Sequence, residues 1–270
     1  MFARALLSFA LLLAGAGSAL AEKNAAAEID AFMELSGINR QLADNGAQLA
    51  RQIETSPVPL DARTRKQLAA AARREFATSK LLADIREVLI AKHDQKQTAA
   101  LNKWLRAELG ARLTALEAAA SASDFDAKLE AFAAKLKQTP PSPERVSVIR
   151  RVEAANRTTE TAIDVALAVG RALAVGLNAA SAAPAPLATI EGAVGAQREQ
   201  LEAAMPHVVL VSLLMTYESA SDEDLAAYAA LLESEPGVWY VSATRAALTA
   251  AFERATQRMA DSVSVSRIEA

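Results

Sequence analysis

The stretch Ser221–Tyr240, SDEDLAAYAALLESEPGVWY, predicts a helix, a tight corner and a second helix. Ser221 can cap the first helix by accepting from the backbone N–H of Asp224, and the Asp224 side chain can reach back to complete a capping box. The apolar residues of this helix share one face, at Leu225, Tyr228, Leu231 and Leu232. We expect Gly237 to end the helix, because glycine adopts the left-handed C′ conformation without a Cβ clash.

An earlier stretch, Asp94–Leu113 (DQKQTAALNKWLRAELGARL), repeats this pattern in the register that places Gly110 on Gly237. Asp94 then matches Ser221 and can cap a helix in the same way. We expect Gly110, like Gly237, to end a helix at a glycine corner. The sequence therefore predicts an all-α fold of two similar helical units, each made of antiparallel helix pairs and corners.

The composition supports this fold class. The chain of 270 residues is 52% hydrophobic but only 4% aromatic, and much of the hydrophobic fraction is alanine, the best helix former. Its ten glycines and nine prolines are few for this length. Such a chain is long enough to bury a core, as one domain or as two small ones.

Prolines mark the boundary between the predicted units. Thr139–Pro143 carries three prolines in close succession, which cannot continue a helix. We therefore predict a first unit over 22–138, a linker over 139–143, a second unit over 144–260 and a loose C-terminal tail over 261–270. Whether the units share one core is left open by the sequence.

Residues 1–21 have the pattern of a secretory signal peptide. Arg4 supplies the positive charge, Ala5–Ala14 is apolar, and Ala19-Leu20-Ala21 is a cleavage site of the A-x-A type. The apolar run is too short for a stable membrane span. We predict cleavage after Ala21 and a periplasmic protein of the bacterial envelope.

Charge and cysteine content exclude several classes of function. Without Arg4 the chain has 28 basic and 32 acidic residues, a formal charge of −4, and nucleic-acid binding needs a basic surface. With no cysteine, the exported chain has neither disulfides nor thiol chemistry.

The segment Val152–Ala180 predicts one long apolar helix, kinked at Gly170 or Gly176. Its charged residues argue against a membrane span, because charge at the centre of a bilayer is costly. Four of them fall on one helical face, namely Arg157, Glu160, Asp164 and Arg171. This strip is either a solvated, ion-paired face or the polar lining of a groove between the two units. Further along, Pro206 is expected at the first position of another helix.

Aromatic residues near the two corners allow two interpretations. Trp104, Trp239 and Tyr240 can pack where the helices of each corner meet, which would make them core residues. Alternatively, Trp239 and Tyr240 form an exposed patch that contacts a partner.

The sequence contains no catalytic constellation that we can recognise. Its two histidines, His93 and His207, lack metal-ligand spacing, and neither a G-x-S-x-G elbow nor a phosphate-binding glycine loop is present. Glu117, Glu130, Glu153 and Glu160 fit exposed helix faces, while only Asp84 and Asp164 lie within apolar runs. We therefore predict no catalytic, cofactor or metal residues and no cofactor, and we favour a protein without enzymatic activity.

The second corner resembles a family of exported bacterial domains of unknown function. The resemblance rests on the helix start Ser221–Leu225, on Tyr228, and on Glu233-Ser234-x-x-Gly237-x-Trp239-Tyr240, with Glu34–Ile38 similar to the opening of such domains. Pro236 directly precedes Gly237 here, which departs from the family pattern. The resemblance implies an all-helical fold and an envelope location, and it implies no activity.

Two functions therefore stay open. The first is a non-catalytic binding or structural protein of the envelope that recognises another envelope protein. The second is a small-ligand binder or enzyme with a polar site between the two units.

Overall fold

A computed structural model describes residues 23–42, 45–57, 60–120, 125–180 and 185–268. The predicted signal peptide and its cleavage site lie outside these residues. Over the described ranges the chain is helical and contains no strand, which confirms the all-α prediction.

The helices follow one another through short turns. Their bounds are α1 (23–35), α2 (Ile38–Gln41), α3 (Asn45–Thr55), α4 (Ala62–Glu75), α5 (Thr78–Ala91), α6 (Gln95–Arg106), α7 (Glu108–Ala119), α8 (Phe125–Gln138), α9 (Pro143–Asn156), α10 (Thr158–Ala180), α11 (Leu187–Thr216), α12 (Asp222–Leu232) and α13 (Glu235–Ile268).

Side-chain caps fix the starts of both corner motifs. Asp94 accepts from the backbone N–H of Gln97 at 3.0 Å, and Ser221 accepts from that of Asp224 at 3.1 Å. The Asp224 carboxylate accepts in turn from the Ser221 N–H at 3.4 Å, which completes the capping box. Each cap satisfies a backbone donor that would otherwise lack an intrahelical partner.

The corner glycines do not end helices in the left-handed conformation as we expected. Gly110 and Gly237 are the third residues of α7 and α13, and Gly37 is the glycine with positive φ among those described. Glycine is required at both positions for a different reason, since a Cβ would collide with the backbone of the preceding helix. The absent side chain lets the two helices of each corner approach closely.

Two hydrophobic clusters hold the helices together. The first combines residues 29–105 with residues 172–259, and the second combines Leu113 with residues 149–241. Each cluster thus takes side chains from both sides of the proline-rich segment 139–143.

Helix α13 contributes a buried alanine stripe to the first cluster. Ala243, Ala247, Ala251 and Ala255 recur at every fourth position, and none is more than 3% exposed. These short side chains let α13 lie against α5 and α10, with which it packs most extensively. Phe252 fills the remaining space by packing edge-on against Phe76, with ring centroids 6.0 Å apart.

Two helix boundaries differ from the predictions. The long apolar segment breaks at Arg157, which adopts φ 52°, ψ 40°, and α10 continues through both Gly170 and Gly176. Pro206 lies inside α11 rather than at a helix start. Proline has no N–H to donate to the backbone carbonyl of Glu202, four residues earlier. Glu202 is exposed, so water can bond this carbonyl.

The C-terminal segment is helical where a loose tail was predicted. Helix α13 continues from Glu235 to Ile268, through most of the predicted loose tail. Among the described helices, none is both long and apolar enough to span a bilayer.

Candidate functional site: grooves along helix α13

An open groove of about 770 Å³ runs between the α9–α10 corner and α13, and we call it the main groove. Small side chains form its apolar part, namely Ala154, Ala155, Ala246 and Ala250. Charged side chains border it, namely Arg157, Asp164, Arg245 and Glu253. The volume falls in the range of ligand-binding clefts, but the groove is open to solvent along its length.

Arg157 shapes one wall of the main groove through its backbone. It is the non-glycine residue with positive φ among the described residues, a conformation that costs about 1–2 kcal/mol for residues with a Cβ. Its N–H bonds the carbonyls of Glu153 and Ala154, and its carbonyl accepts from Thr161 N–H at 3.0 Å. The turn ends α9 and starts α10 at once, so the direction of α10 depends on it.

Asp164 joins three helices at the main groove. Its Oδ2 accepts from Arg245 Nε at 2.9 Å and Nη2 at 2.6 Å, while its Oδ1 accepts from Arg198 at 3.2 Å. The Asp164 side chain is 20% exposed. This carboxylate thus joins α10 to α11 and α13, and both its oxygens are engaged by guanidinium groups.

The other two members of the predicted polar strip lie away from the groove lining. Glu160 faces Arg157 at 3.5 Å, within one turn, and Arg171 pairs with Glu191 of α11 at 2.6 Å. The break at Arg157 separates this residue from α10, which carries Glu160, Asp164 and Arg171. The predicted strip thus consists of separate ion pairs. Among its four residues, Arg157 and Asp164 reach the main groove.

Trp239 and Tyr240 do not form an exposed aromatic patch. The partly buried Trp239 ring packs edge-on against Phe32, with centroids 6.2 Å apart, and its indole N–H donates to Lys92 O at 3.0 Å. Tyr240 also packs edge-on against Phe32, at 5.7 Å. Both rings therefore pack as core residues, which was the first of the two interpretations of the corner aromatics. Trp104 does too, because it stacks on Tyr228 at 5.5 Å.

A second groove of about 630 Å³, the side groove, adjoins the first at Val238 and Ser242. Its rim carries Lys92, Asp94, Glu233 and Glu235. Val238 lies where the two grooves meet and is 59% exposed, the highest value among the large apolar residues described. It was not identified from the sequence, where an isolated valine in an amphipathic helix gives no signal.

One of the two histidines makes a contact between helices, and the other is exposed. His93 Nε2 lies 2.8 Å from Glu28 Oε2 and joins the end of α5 to α1, while His207 is exposed on α11. Within the described ranges, no three His, Asp or Glu side chains are grouped closely enough to hold a metal ion.

The most unusual polar group is one that we assigned wrongly from the sequence. Glu117 was expected on an exposed face, but its Oε1 accepts from Tyr217 Oη at 2.6 Å and from Tyr228 Oη at 2.9 Å. With Tyr240 nearby, the three tyrosines of the chain all surround this one carboxyl. No local pattern indicates this, since the tyrosines lie far from Glu117 along the chain.

Burial dominates the chemistry of this group. Glu117 as a residue keeps some accessible surface, yet its carboxyl is densely enclosed by protein. The enclosure of the carboxyl is what decides its titration. Burial raises the pKa of Glu117, and the bonds from Tyr217 and Tyr228 only partly oppose this. Burial together with the nearby Glu117 charge raises the pKa of Tyr240.

Comparison with known proteins adds no assignment. No protein-family model, curated protein or solved structure matches this chain.

Proposed function

We propose that the protein is a non-catalytic binding protein of the bacterial envelope, which holds a helical segment of another envelope protein in the main groove. The signal-peptide pattern of residues 1–21 and the resemblance of the second corner to exported domains support the location. The observation that carries the binding role is the open groove with an alanine floor beside the exposed Val238.

The shape of the main groove suits a helix. Its α13 wall runs from Val238 to Glu253, a length of about 22 Å or four helical turns. Alanines at Ala154, Ala246 and Ala250 allow a partner backbone to approach closely, and a helix placed in a groove is a recurrent mode of recognition. Arg157 offers a positive charge and Glu253 a negative one, and these charges can fix the register of the bound helix.

The charged groups at the groove favour binding over acid–base catalysis. Asp164 is held by Arg245 and Arg198, so its charge is compensated and its geometry fixed by structure. A general acid or base needs a proton that it can exchange with a substrate placed beside it. The buried Glu117 lies apart from the groove lining.

A second candidate function is a small-ligand binder. A cleft of about 500 Å³ shares Arg245 with the main groove. Its lining includes Asn156, Thr158, Thr161 and Thr244. Thr244 Oγ1 is buried there without a hydrogen-bond partner, and an unsatisfied buried hydroxyl is costly. A polar ligand would satisfy it.

We also infer that the two corners arose by duplication of one helix–corner–helix unit. The register that places Gly110 on Gly237 also places the start of α6 on that of α12 and the start of α7 on that of α13. The two glycines therefore occupy the same position in the second helix of each corner. These coincidences support a common origin of both corners.

In-cell photocrosslinking tests the binding role. A photoreactive residue replaces Val238 in the tagged full-length chain, and Glu130 of α8, which is exposed, receives the same residue as a control. We expect one dominant partner at position 238, and we expect A246R, which fills the groove, to abolish that crosslink. A partner that is still crosslinked in A246R, or equal crosslinking at position 130, would contradict binding in the main groove. Periplasmic fractionation of the same cells tests the location.

A further inference from the structure

Two charged side chains at the grooves along α13 have no ionic partner within the described part of the chain. Lys92 lines the side groove and Glu253 lines the main groove, and both residues are exposed. Neither side chain forms an ion pair or a hydrogen bond with another described residue. Each can therefore bind an opposite charge without breaking an existing contact.

The other charged side chains that line the two grooves are already engaged. Asp94 caps α6 by accepting from the backbone N–H of Gln97. The remaining ones form ion pairs within the protein, namely Glu233 with Arg151, Glu235 with Lys96, Arg157 with Glu160, and Asp164 with Arg245. A bound segment that used one of these charges would first have to displace the group that holds it, which offsets part of the gain.

Lys92 and Glu253 lie toward opposite ends of the two connected grooves. The carbonyl of Lys92 accepts from the indole N–H of Trp239 at 3.0 Å, which places Lys92 beside the start of α13. Glu253 comes fourteen positions after Trp239 in the same helix, a distance of about 21 Å along its axis. Ala246 and Ala250 of the groove floor lie between these two positions.

A helix that fills the main groove takes water away from charges at its ends. An unpaired charge that loses water on binding is costly, whereas an opposite charge placed beside it recovers much of this cost. We propose that the bound helix carries an acidic side chain that pairs with Lys92 and, about fourteen residues away, a basic side chain that pairs with Glu253. This inference rests on the proposed binding role of the main groove, and it specifies the charge pattern of the partner. Helices without this pattern are disfavoured.

Charge reversal in the crosslinking experiment tests this pattern. With the photoreactive residue at position 238 of the tagged full-length chain, we expect K92E and E253K each to lower the yield of the partner crosslink about threefold. K103E and E130K reverse exposed charges of α6 and α8 that line neither groove, and they should leave the yield unchanged.

The variant A246R separates this inference from the proposed function. If A246R abolishes the crosslink while K92E and E253K leave it at the wild-type yield, the charge pattern is wrong and binding in the main groove stands. If no dominant partner is crosslinked at position 238 of the wild type, both proposals fail.

A charge swap in the crosslinked partner is the decisive measurement. Mass spectrometry of the crosslink locates the bound helix, which should carry an acidic and a basic residue about fourteen positions apart. Replacing the acidic residue by lysine should restore crosslinking to K92E, and replacing the basic residue by glutamate should restore it to E253K. Restoration also shows that the two variants fold. A bound helix without opposite charges at this spacing, or reversed residues that restore neither variant, would overturn the proposal.

Discussion

Gly110 and Gly237 make the same contact at two corners of the fold. A Cβ built on Gly110 would lie 2.3 Å from the carbonyl oxygen of Trp104, and one built on Gly237 would lie 2.1 Å from that of Leu231. Trp104 and Leu231 are themselves matched in the register that places one glycine on the other. Both glycines therefore set the distance between the two helices of a corner.

Alanine at either corner glycine should destabilise the protein. The obstructing atoms belong to the backbone and cannot move aside, so we expect G110A and G237A each to lower the free energy of unfolding by about 3 kcal/mol. Urea denaturation measures this. G192A is the control, since a Cβ there meets nothing within 4 Å, and it should raise stability by about 1 kcal/mol. Equal effects at all three positions would refute the close-approach argument.

The Asp164–Arg245 pair should contribute measurably to stability. Its side chains are 20% and 29% exposed and share two hydrogen bonds, so a double-mutant cycle with alanine should give a coupling of about 1 kcal/mol. The exposed Lys96–Glu235 pair, at 79% and 74%, is the matched comparison and should give a coupling near zero. A coupling no larger at Asp164–Arg245 would mean that this bond does not hold α10 to α13.

Glycine at Arg157 should relieve backbone strain. Glycine adopts positive φ freely, so R157G should raise the free energy of unfolding by about 1 kcal/mol relative to R157A, which retains the strained Cβ. The comparison between these two variants removes the effect of losing the guanidinium group. Equal thermal midpoints would show that the corner is not strained. If the groove binds a partner through Arg157, both variants should weaken crosslinking at Val238.

Glu75 should make the stability of the protein depend on pH, because its pKa is shifted in the direction opposite to that of Glu117. Burial opposes its ionisation, but hydrogen bonds from Lys80 and Arg74 outweigh this and hold the pKa of Glu75 below 4.5. The side chain is 7% exposed, although it lies near the surface of the fold rather than deep within it.

The stabilisation from Glu75 is present above its unfolded-state pKa and is lost as the pH falls through the folded-state pKa. We therefore expect the stability difference between wild type and E75Q to be largest at neutral pH and to shrink below about pH 4.5. Urea denaturation over this range measures it. A difference that grows on acidification would show that the ion pairs do not control Glu75.

The parts of the fold that depend on neighbouring residues were predictable from the sequence. Asp94 and Ser221 were both identified as helix caps, and each accepts from the backbone N–H three positions further on. These contacts involve one turn of chain, so residue type and spacing decide them. The break between helices at residues 139–142 follows from the same local chemistry.

The features decided by distant contacts were not predictable. Nothing in the residue type of Arg157 indicates the left-handed conformation that it adopts at the turn between α9 and α10. Glu117 has the local pattern of a surface residue, and only the approach of Tyr217 and Tyr228 encloses its carboxyl. Of the candidate site, the sequence identified Arg157 and Asp164 but not Val238 or the opposing wall of α13.

The alanine stripe of α13 has a consequence for the order in which the chain folds. Residues 29–105 close their hydrophobic cluster against Ala172 and against Ala243–Met259, so the first half of the protein lacks a complete core until the last long helix is available. A chain that emerges vectorially from the ribosome would therefore stay loosely structured until its last long helix is synthesised.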